Sequence, residues 1–309
     1  MLIYETIHGS RAYGLQTPES DTDRKGIIVG PRRWYLGFLA SPEQIEVNAD
    51  HVRYELRKFF RLAAAGNPTI LELMWTDASD HEVVTPVAER LLGERRRFLS
   101  RRVEGSFCGY AMSQLGRIKS HRRWLLEPPK QAPTRADYGL PERSTIPRDQ
   151  LGAAEAMLAD GRIDEGALTP NFLAVLDRER RYRSARKGWQ SYESWRKTRN
   201  PRRAALEARF GYDTKHAMHL VRLLRMGREI LTSGEVIVRR PDAEELLAVR
   251  AGAWSYDQLI EAAEELAASI KRSASSAPLP EAPDDEALSQ LCDEFIAEAL
   301  GLPPHQERP

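Results

Sequence analysis

The chain has 309 residues, 41% of them hydrophobic and 29% charged, with a formal net charge of +1. That is enough for one large domain or two ordinary ones, and it excludes a chain that is disordered throughout. No stretch approaches the ~20 consecutive apolar residues of a spanning helix. The opening Met1–Ser10 lacks the basic flank and long apolar run of a secretory signal, so a cytoplasmic protein with no membrane partner is expected. Cys108 and Cys292 are too few for a disulfide framework or a four-cysteine zinc site. The near-neutral balance hides a bias: 38 of the 46 cationic residues are arginine, whose forked guanidinium suits phosphate.

In chain order, Leu2, Tyr4 and Ile7 predict a strand over 1–8, followed by a Gly9-Ser10 turn and a helical turn at 11–15. After the turn residues Thr17–Ser20 comes a strand over 21–30 with Asp21 and Asp23 at its mouth. Residues 45–54 alternate and predict one more strand. From Glu55 the period becomes helical: Leu56, Phe59, Phe60 and Ala63 recur at 3–4 spacing and Gly66 closes the helix. Asn67-Pro68 and Thr85-Pro86 each join a capping residue to a first-turn proline. Long helices are predicted over 106–126 and 170–197, with a proline-rich loop at 128–148. Asp213 caps a helix that runs to Ser233-Gly234, and Val236–Val238 reads as a short strand. Asp242 with Glu245 and Ser255 with Gln258 have capping-box spacing and open two more helices. A Ser/Ala/Pro linker over 273–285 leads to an amphipathic helix at 286–300, ended by Gly301.

Strands are thus confined to the first third, which predicts an α+β region followed by a mainly helical one. The expected divisions are 1–105, 106–272 and a linker with tail helix at 273–309.

The segment richest in chemistry is Gly9-Ser10 followed by Asp21-Thr22-Asp23. Aspartates at i and i+2 on a strand point to one face, so their carboxylates can share hard divalent cations. Mg²⁺ takes one or two carboxylates plus phosphate oxygens. Two such ions ~4 Å apart clamp the attacking and leaving oxygens of a phosphoryl displacement. Gly9 lets backbone approach a phosphate, and Ser10 adds a hydroxyl and an N–H donor. Asp-x-Asp by itself is also ordinary turn chemistry. The combination with a Gly-Ser turn after a strand is far more specific.

Gly-Ser, a spacer, then Asp-x-Asp is the signature of the polymerase-β nucleotidyltransferase superfamily. The run Gly9-Ser10-Arg11-Ala12-Tyr13-Gly14 with Ser20-Asp21-Thr22-Asp23 resembles its minimal members. Residues 54–59, 66–73, 199–203 and 211–219 resemble one branch, the RNA-repair-pathway polymerase-β-like proteins associated with RNA ligases. The resemblance extends over about residues 1–272. It implies a small polymerase-β-type core, a mixed sheet flanked by helices, ahead of a mainly helical domain. It also implies transfer of an NMP or dNMP from an NTP or dNTP to a hydroxyl, with release of pyrophosphate. The expected cofactor is Mg²⁺ or Mn²⁺, as two ions, and the expected acceptor is an RNA 3′ end in repair or end processing. An RNA ligase partner is implied by the same association. The family's chemistry calls for a third carboxylate on the next strand. Glu46, Asp50 and Glu55 are available, and Asp50 is preferred as catalytic residue and metal ligand with Asp21 and Asp23, Glu55 being the alternative. Gly9, Ser10, Arg11 and Lys25 are the expected phosphate contacts.

Two basic features add to this. Residues 178–203 carry eleven Lys/Arg against two acids, interleaved with Tyr182, Trp189, Tyr192 and Trp195, a composition that suits RNA. The spacing of Trp189, Tyr192 and Trp195 equally suits a buried stripe. On the helix after Asp213, Lys215, His219 and Arg222 share one stripe, opposite Ala217, Leu220, Val221 and Leu224. The resemblance makes that stripe a nucleotide or primer contact. Other acceptors remain open at this point: a protein or small molecule in an AMPylation-type reaction, or no reaction at all in a nucleotide-binding module. A surface that binds nucleic acid is distinguished by strong salt dependence.

Overall fold

A computed structural model describes residues 1–144 and 170–302, with 152, 153, 156, 157 and 160 between them. Positions 145–148 of the expected loop, and the tail beyond 302, lie outside the described residues. The first elements are β1 (Leu2–His8), the short α1 (Gly9–Ala12), β2 (Asp23–Ile28) and α2 (Arg33–Leu36). They continue with β3 (Gln44–Asn48), β4 (His51–Glu55), α3 (Leu56–Ala64), α4 (Pro68–Met74), β5 (His81–Val84) and α5 (Pro86–Gly93). The five strands form a mixed sheet in the order β3-β4-β2-β1-β5. β2 and β4 run parallel, and every other pair is antiparallel. This is the mixed sheet with flanking helices that the resemblance implies.

The strand expected over 45–54 is instead a hairpin. Asn48 Oδ1 accepts the Asp50 N–H at 2.9 Å, the Asx turn that asparagine readily makes, and the chain reverses at Ala49-Asp50. β5 was missed because it has only four residues, at a sheet edge. Val236–Val238 shows the burial alternation of a strand, with Val236 and Val238 inside and Ile237 exposed, but it pairs with no strand among the described residues.

Local signals set most helix ends. Asn67 caps α4 through the Ile70 N–H, and Thr85 caps α5 through Ala88. Asp213 caps α9 (Thr214–Ser233), which Gly234 ends at φ +70°. Ser255 and Gln258 form a complete capping box at α11 (Tyr256–Ser275). Asp242 does not cap α10 (Ala243–Arg250): its carboxylate is taken by Arg225 and Arg240, at 2.6 and 2.8 Å. Charged hydrogen bonds from two guanidiniums outweigh one from a backbone N–H.

The chain divides into two compact units: residues 1–119 with 209–309, and residues 120–208. The sequence placed its divisions at 105/106 and 272/273 instead. In the first unit, α6 (Arg102–Leu126) begins, and α9 is buried on nearly every side. Phe60 of α3 meets Phe98 and also Phe295 of α12 (Asp285–Ala299), with ring centroids 5.0 and 6.3 Å apart. The second unit holds α7 (Pro170–Thr198) and most of α8 (Pro201–Phe210). There Trp124 and Tyr192 are buried, with Trp195 against both rings. The aromatic stripe therefore faces inward, as its spacing suggests. Among the described residues no helix is long and apolar enough to cross a membrane.

Candidate active site

β1 and β2 are adjacent and antiparallel, and their register sets His8 opposite Asp23. The chain turns out of β1 at Gly9 with φ +67°, a conformation that favours glycine. A Cβ at Gly9 would stand 2.0 Å from Asp23 Oδ2, so only glycine leaves room for that carboxylate against the turn. The Gly-Ser turn and the second aspartate of Asp-x-Asp are therefore one structural unit, formed by a single strand pair.

β4 brings Asp50 to the same place. Arg24 lies opposite His51 in the parallel register, and the Arg24 N–H donates to the Asp50 carbonyl at 2.7 Å. One step back along both chains, Asp23 and Asp50 are neighbours. Asp21 and Asp50 are exposed and Asp23 is half-buried. Burial pushes the Asp23 carboxyl above its ordinary range; the Asp50 and Asp21 carboxylates add to this, and Lys25 and Lys215 oppose it. Lys25, two residues on along β2, is itself held below its ordinary range by burial, against the pull of Asp23 and Glu72. The site thus gathers like charges that repel one another beside two ammonium groups.

That donor set fits a hard divalent cation: oxygen ligands, mutual repulsion that a cation relieves, and solvent access for phosphate oxygens. The side chains do not form a closed cage. Among the described residues no three His, Cys, Asp or Glu side chains converge on one metal position. An open site of one or two carboxylates is the arrangement Mg²⁺ takes when substrate supplies the remaining ligands.

Several expected site residues lie elsewhere. Glu55 is five residues along β4 from Asp50, ~16 Å at strand rise, and is 3% exposed. It caps α3 through the Arg57 and Lys58 N–H groups and accepts the Tyr35 hydroxyl at 2.8 Å. The structure does not bring it to the aspartates. Arg222 is not part of an exposed cationic strip. It is 5% exposed and donates to Glu72 Oε1 at 2.5 Å, with its guanidinium 3.8 Å from the centre of the Tyr13 ring. The stripe misled because α9 is covered on its polar side too. Arg11 is exposed and donates to the Ser20 carbonyl at 3.3 Å, which braces the loop leading to Asp21. Lys215 stays within electrostatic reach of Asp23, and His219, one turn on, is half-buried.

Beneath the aspartates lies a buried polar group that the sequence did not assemble. Tyr13 donates to Glu72 Oε2 at 2.5 Å, opposite the oxygen that takes Arg222. His8 Nε2 is 3.8 Å from Glu72, and the ring packs edge-on to Tyr13. Burial lowers the His8 imidazole to about 4, with Lys25 and Arg222 adding and Glu72 and a backbone bond at Thr69 opposing. His8 is therefore neutral at neutral pH. Its parity was a signal: Tyr4, Thr6 and His8 share the face of Asp23 and Lys25.

No solved structure matches the chain. An uncharacterized 38.9 kDa protein from the nrdC-mobD intergenic region of Enterobacteria phage T4 is 32% identical over 125 residues, which is 36% of this chain and 37% of that protein. The uncharacterized protein YcgL of Bacillus subtilis (strain 168) is 34% identical over 94 residues, 29% of this chain and 36% of that one. The chain thus spans little more than a third of the length of these curated relatives. Residues 1–126, which hold the Gly9 turn, Asp21, Asp23 and Asp50, match the model of the RNA repair pathway DNA polymerase beta family (RlaP).

Proposed function

We propose that this chain is a divalent-cation-dependent nucleotidyltransferase that moves a nucleoside monophosphate from an NTP or dNTP to the 3′ hydroxyl of an RNA end. The observation that carries this reading is the seat of Asp23 against Gly9, beside Asp50 and Asp21. Asp21, Asp23 and Asp50 would share Mg²⁺ or Mn²⁺, no more than two of them on any one ion, and the cation would supply charge neutralisation at the transferring phosphoryl group. The open backbone at Gly9 and the Ser10 hydroxyl bind phosphate oxygens. Lys25 and Lys215 offset the negative charge that the triphosphate brings to the aspartates. Asp50, exposed at its turn, takes the proton of the acceptor hydroxyl as its oxygen bonds to the α-phosphorus. The bond from that phosphorus to the bridging oxygen breaks, and pyrophosphate leaves. Positioning and electrostatics account for most of the rate in such a site.

The RNA acceptor is supported by the second unit. Arg180, Arg181 and Arg196 of α7 are exposed at 60–72% outside the inward aromatic stripe, each beside an acid one turn back (Asp177 or Glu193), in a segment where eleven Lys/Arg face two acids over residues 178–203. An exposed cationic helix face of this kind binds a phosphate backbone.

The test is incubation with Mg²⁺ or Mn²⁺ and each α-labelled NTP and dNTP, with short RNA and DNA of varied ends or with a bacterial protein extract. Label on an RNA 3′ end, absent with Asp21→Ala/Asp23→Ala and weakened between 50 and 200 mM salt, is the expected outcome. Label on protein alone would replace the RNA acceptor with an AMPylation-type one. No label anywhere, with NTP bound tightly, would reduce the chain to a binding module.

A further inference from the structure

At the far end of β4 from Asp50, the first unit carries a groove of about 580 Å³, open to solvent, along α3 and α12. A space of this size falls in the ~300–1,000 Å³ range of small-molecule sites. Phe60, Leu288 and Ile296 line it, all buried in the unit's core and all apolar. Arg57 and Arg61 stand on the α3 wall and Arg102 at the start of α6, while Asp293 lies on the opposite wall, on α12.

The α3 wall has donors to spare. A guanidinium offers five N–H groups in a fixed fork. Arg61 pairs with the exposed Glu43. Arg57 uses one terminal nitrogen for the Trp34 carbonyl and Ser41 Oγ, its Nε lies 3.5 Å from Glu55, and its guanidinium lies 4.6 Å from the centre of the Tyr35 ring, which leaves its other terminal nitrogen for a further acceptor. Both keep N–H groups for another acceptor. They are one helical turn apart, the separation at which two side chains can grip one group. Arg102 is instead spent on Asp285 and the Ala64 carbonyl, and it ties α6 to both walls. The walls therefore differ: cationic on α3, acidic on α12, apolar between them. Such a space accepts one acidic group on one side only.

We infer that this groove binds a small amphipathic anion, with its phosphate, sulfonate or carboxylate on Arg57 and Arg61 and its apolar ring or short chain on Phe60, Leu288 and Ile296. The site is separate from the aspartates and does not depend on nucleotidyl transfer. One wall belongs to the family-matched region and the other, α12, lies outside it.

The probes are 1-anilinonaphthalene-8-sulfonate and the uncharged N-phenyl-1-naphthylamine, titrated into the full chain and followed by fluorescence. One sulfonate probe per chain is expected. Ser289 lines the groove from an exposed position on α12, so Ser289→Trp fills it with little cost to the core. Ser289→Trp should abolish binding, and Ser289→Ala should bind like wild type. Arg57→Gln/Arg61→Gln should weaken the sulfonate probe by about tenfold or more and leave the neutral probe within about twofold. Urea unfolding checks that each variant is folded. Absence of saturable binding to wild type, binding that survives Ser289→Trp, or equal loss of both probes in the arginine variant would overturn the proposal.

Discussion

Arg222 and Glu72 form an ion pair at 2.5 Å with side chains 6% and 2% exposed, and they join α9 to α4 beneath the aspartates. The Tyr13 hydroxyl fills the second oxygen of Glu72, so the carboxylate is satisfied on both sides. Removing one member leaves a buried charge without its partner. Glu72→Ala or Arg222→Ala should each cost about 3–5 kcal/mol, and the apolar pair Glu72→Leu/Arg222→Met clearly less. Urea unfolding of the singles and the double decides it; a loss in the double equal to the sum of the two single losses would mean that the pair is not coupled.

Gly9 and Gly14 separate strain from contact. Both have positive φ, +67° and +72°. A Cβ at Gly9 strikes the Asp23 carboxylate, whereas one at Gly14 meets nothing within 4 Å. Gly14→Ala should cost only the backbone strain, ~1–2 kcal/mol. Gly9→Ala should add displacement of Asp23 and lower nucleotidyl transfer by about a hundredfold or more. Melting curves beside transfer rates show whether the two glycines differ as expected.

Asp50 and Glu55 should part in opposite directions. Asp50→Asn changes an exposed turn residue whose structural bonds run through the backbone, so stability should hold while transfer is lost. Glu55→Gln weakens the α3 cap and the bond from Tyr35, and should cost about 1–2 kcal/mol with transfer retained in the folded protein. Transfer that survives Asp50→Asn and fails with Glu55→Gln would reassign the third carboxylate.

The Asp242 cluster sets a pH dependence away from the site. Burial alone would raise the Asp242 carboxyl, but its bonds to Arg240 and Arg225 hold it below the ordinary range, and Arg225 does the same to Glu245. A carboxyl depressed on folding stabilises above its unfolded pKa and loses that contribution as pH falls through the folded value. Stability should therefore fall on acidification below about pH 4, and less steeply in Asp242→Asn. Parallel slopes for variant and wild type in urea unfolding from pH 6 to pH 2.5 would remove the cluster from the account.

Much of the fold could be read from local pattern because local physics sets it. The period change at Glu55, the caps at Asn67, Thr85, Asp213 and Ser255, and the strand-turn-Asp-x-Asp order each depend on residues within a few positions of one another. The Asn48 turn was equally local, but the alternation of 45–54 masked it, since a tight hairpin keeps the same in-out rhythm on both strands.

What only the tertiary structure decided is which polar residues stand at the exposed aspartates and which are taken up inside the protein. The sequence by itself determined that a Gly-Ser turn follows the first strand and that two aspartates stand at the mouth of the next, although β2 itself begins only at Asp23 and leaves Asp21 in the loop before it. It could not show that a Gly9 side chain would collide with Asp23, that β4 would deliver Asp50 and not Glu55, or that Arg222 would turn inward. A helix stripe records only angle around an axis, and Lys215 and Arg222 share that angle. One lies near Asp23 and the other is bound to a carboxylate 150 residues away in the chain, because α4 covers one turn of α9 and not the other.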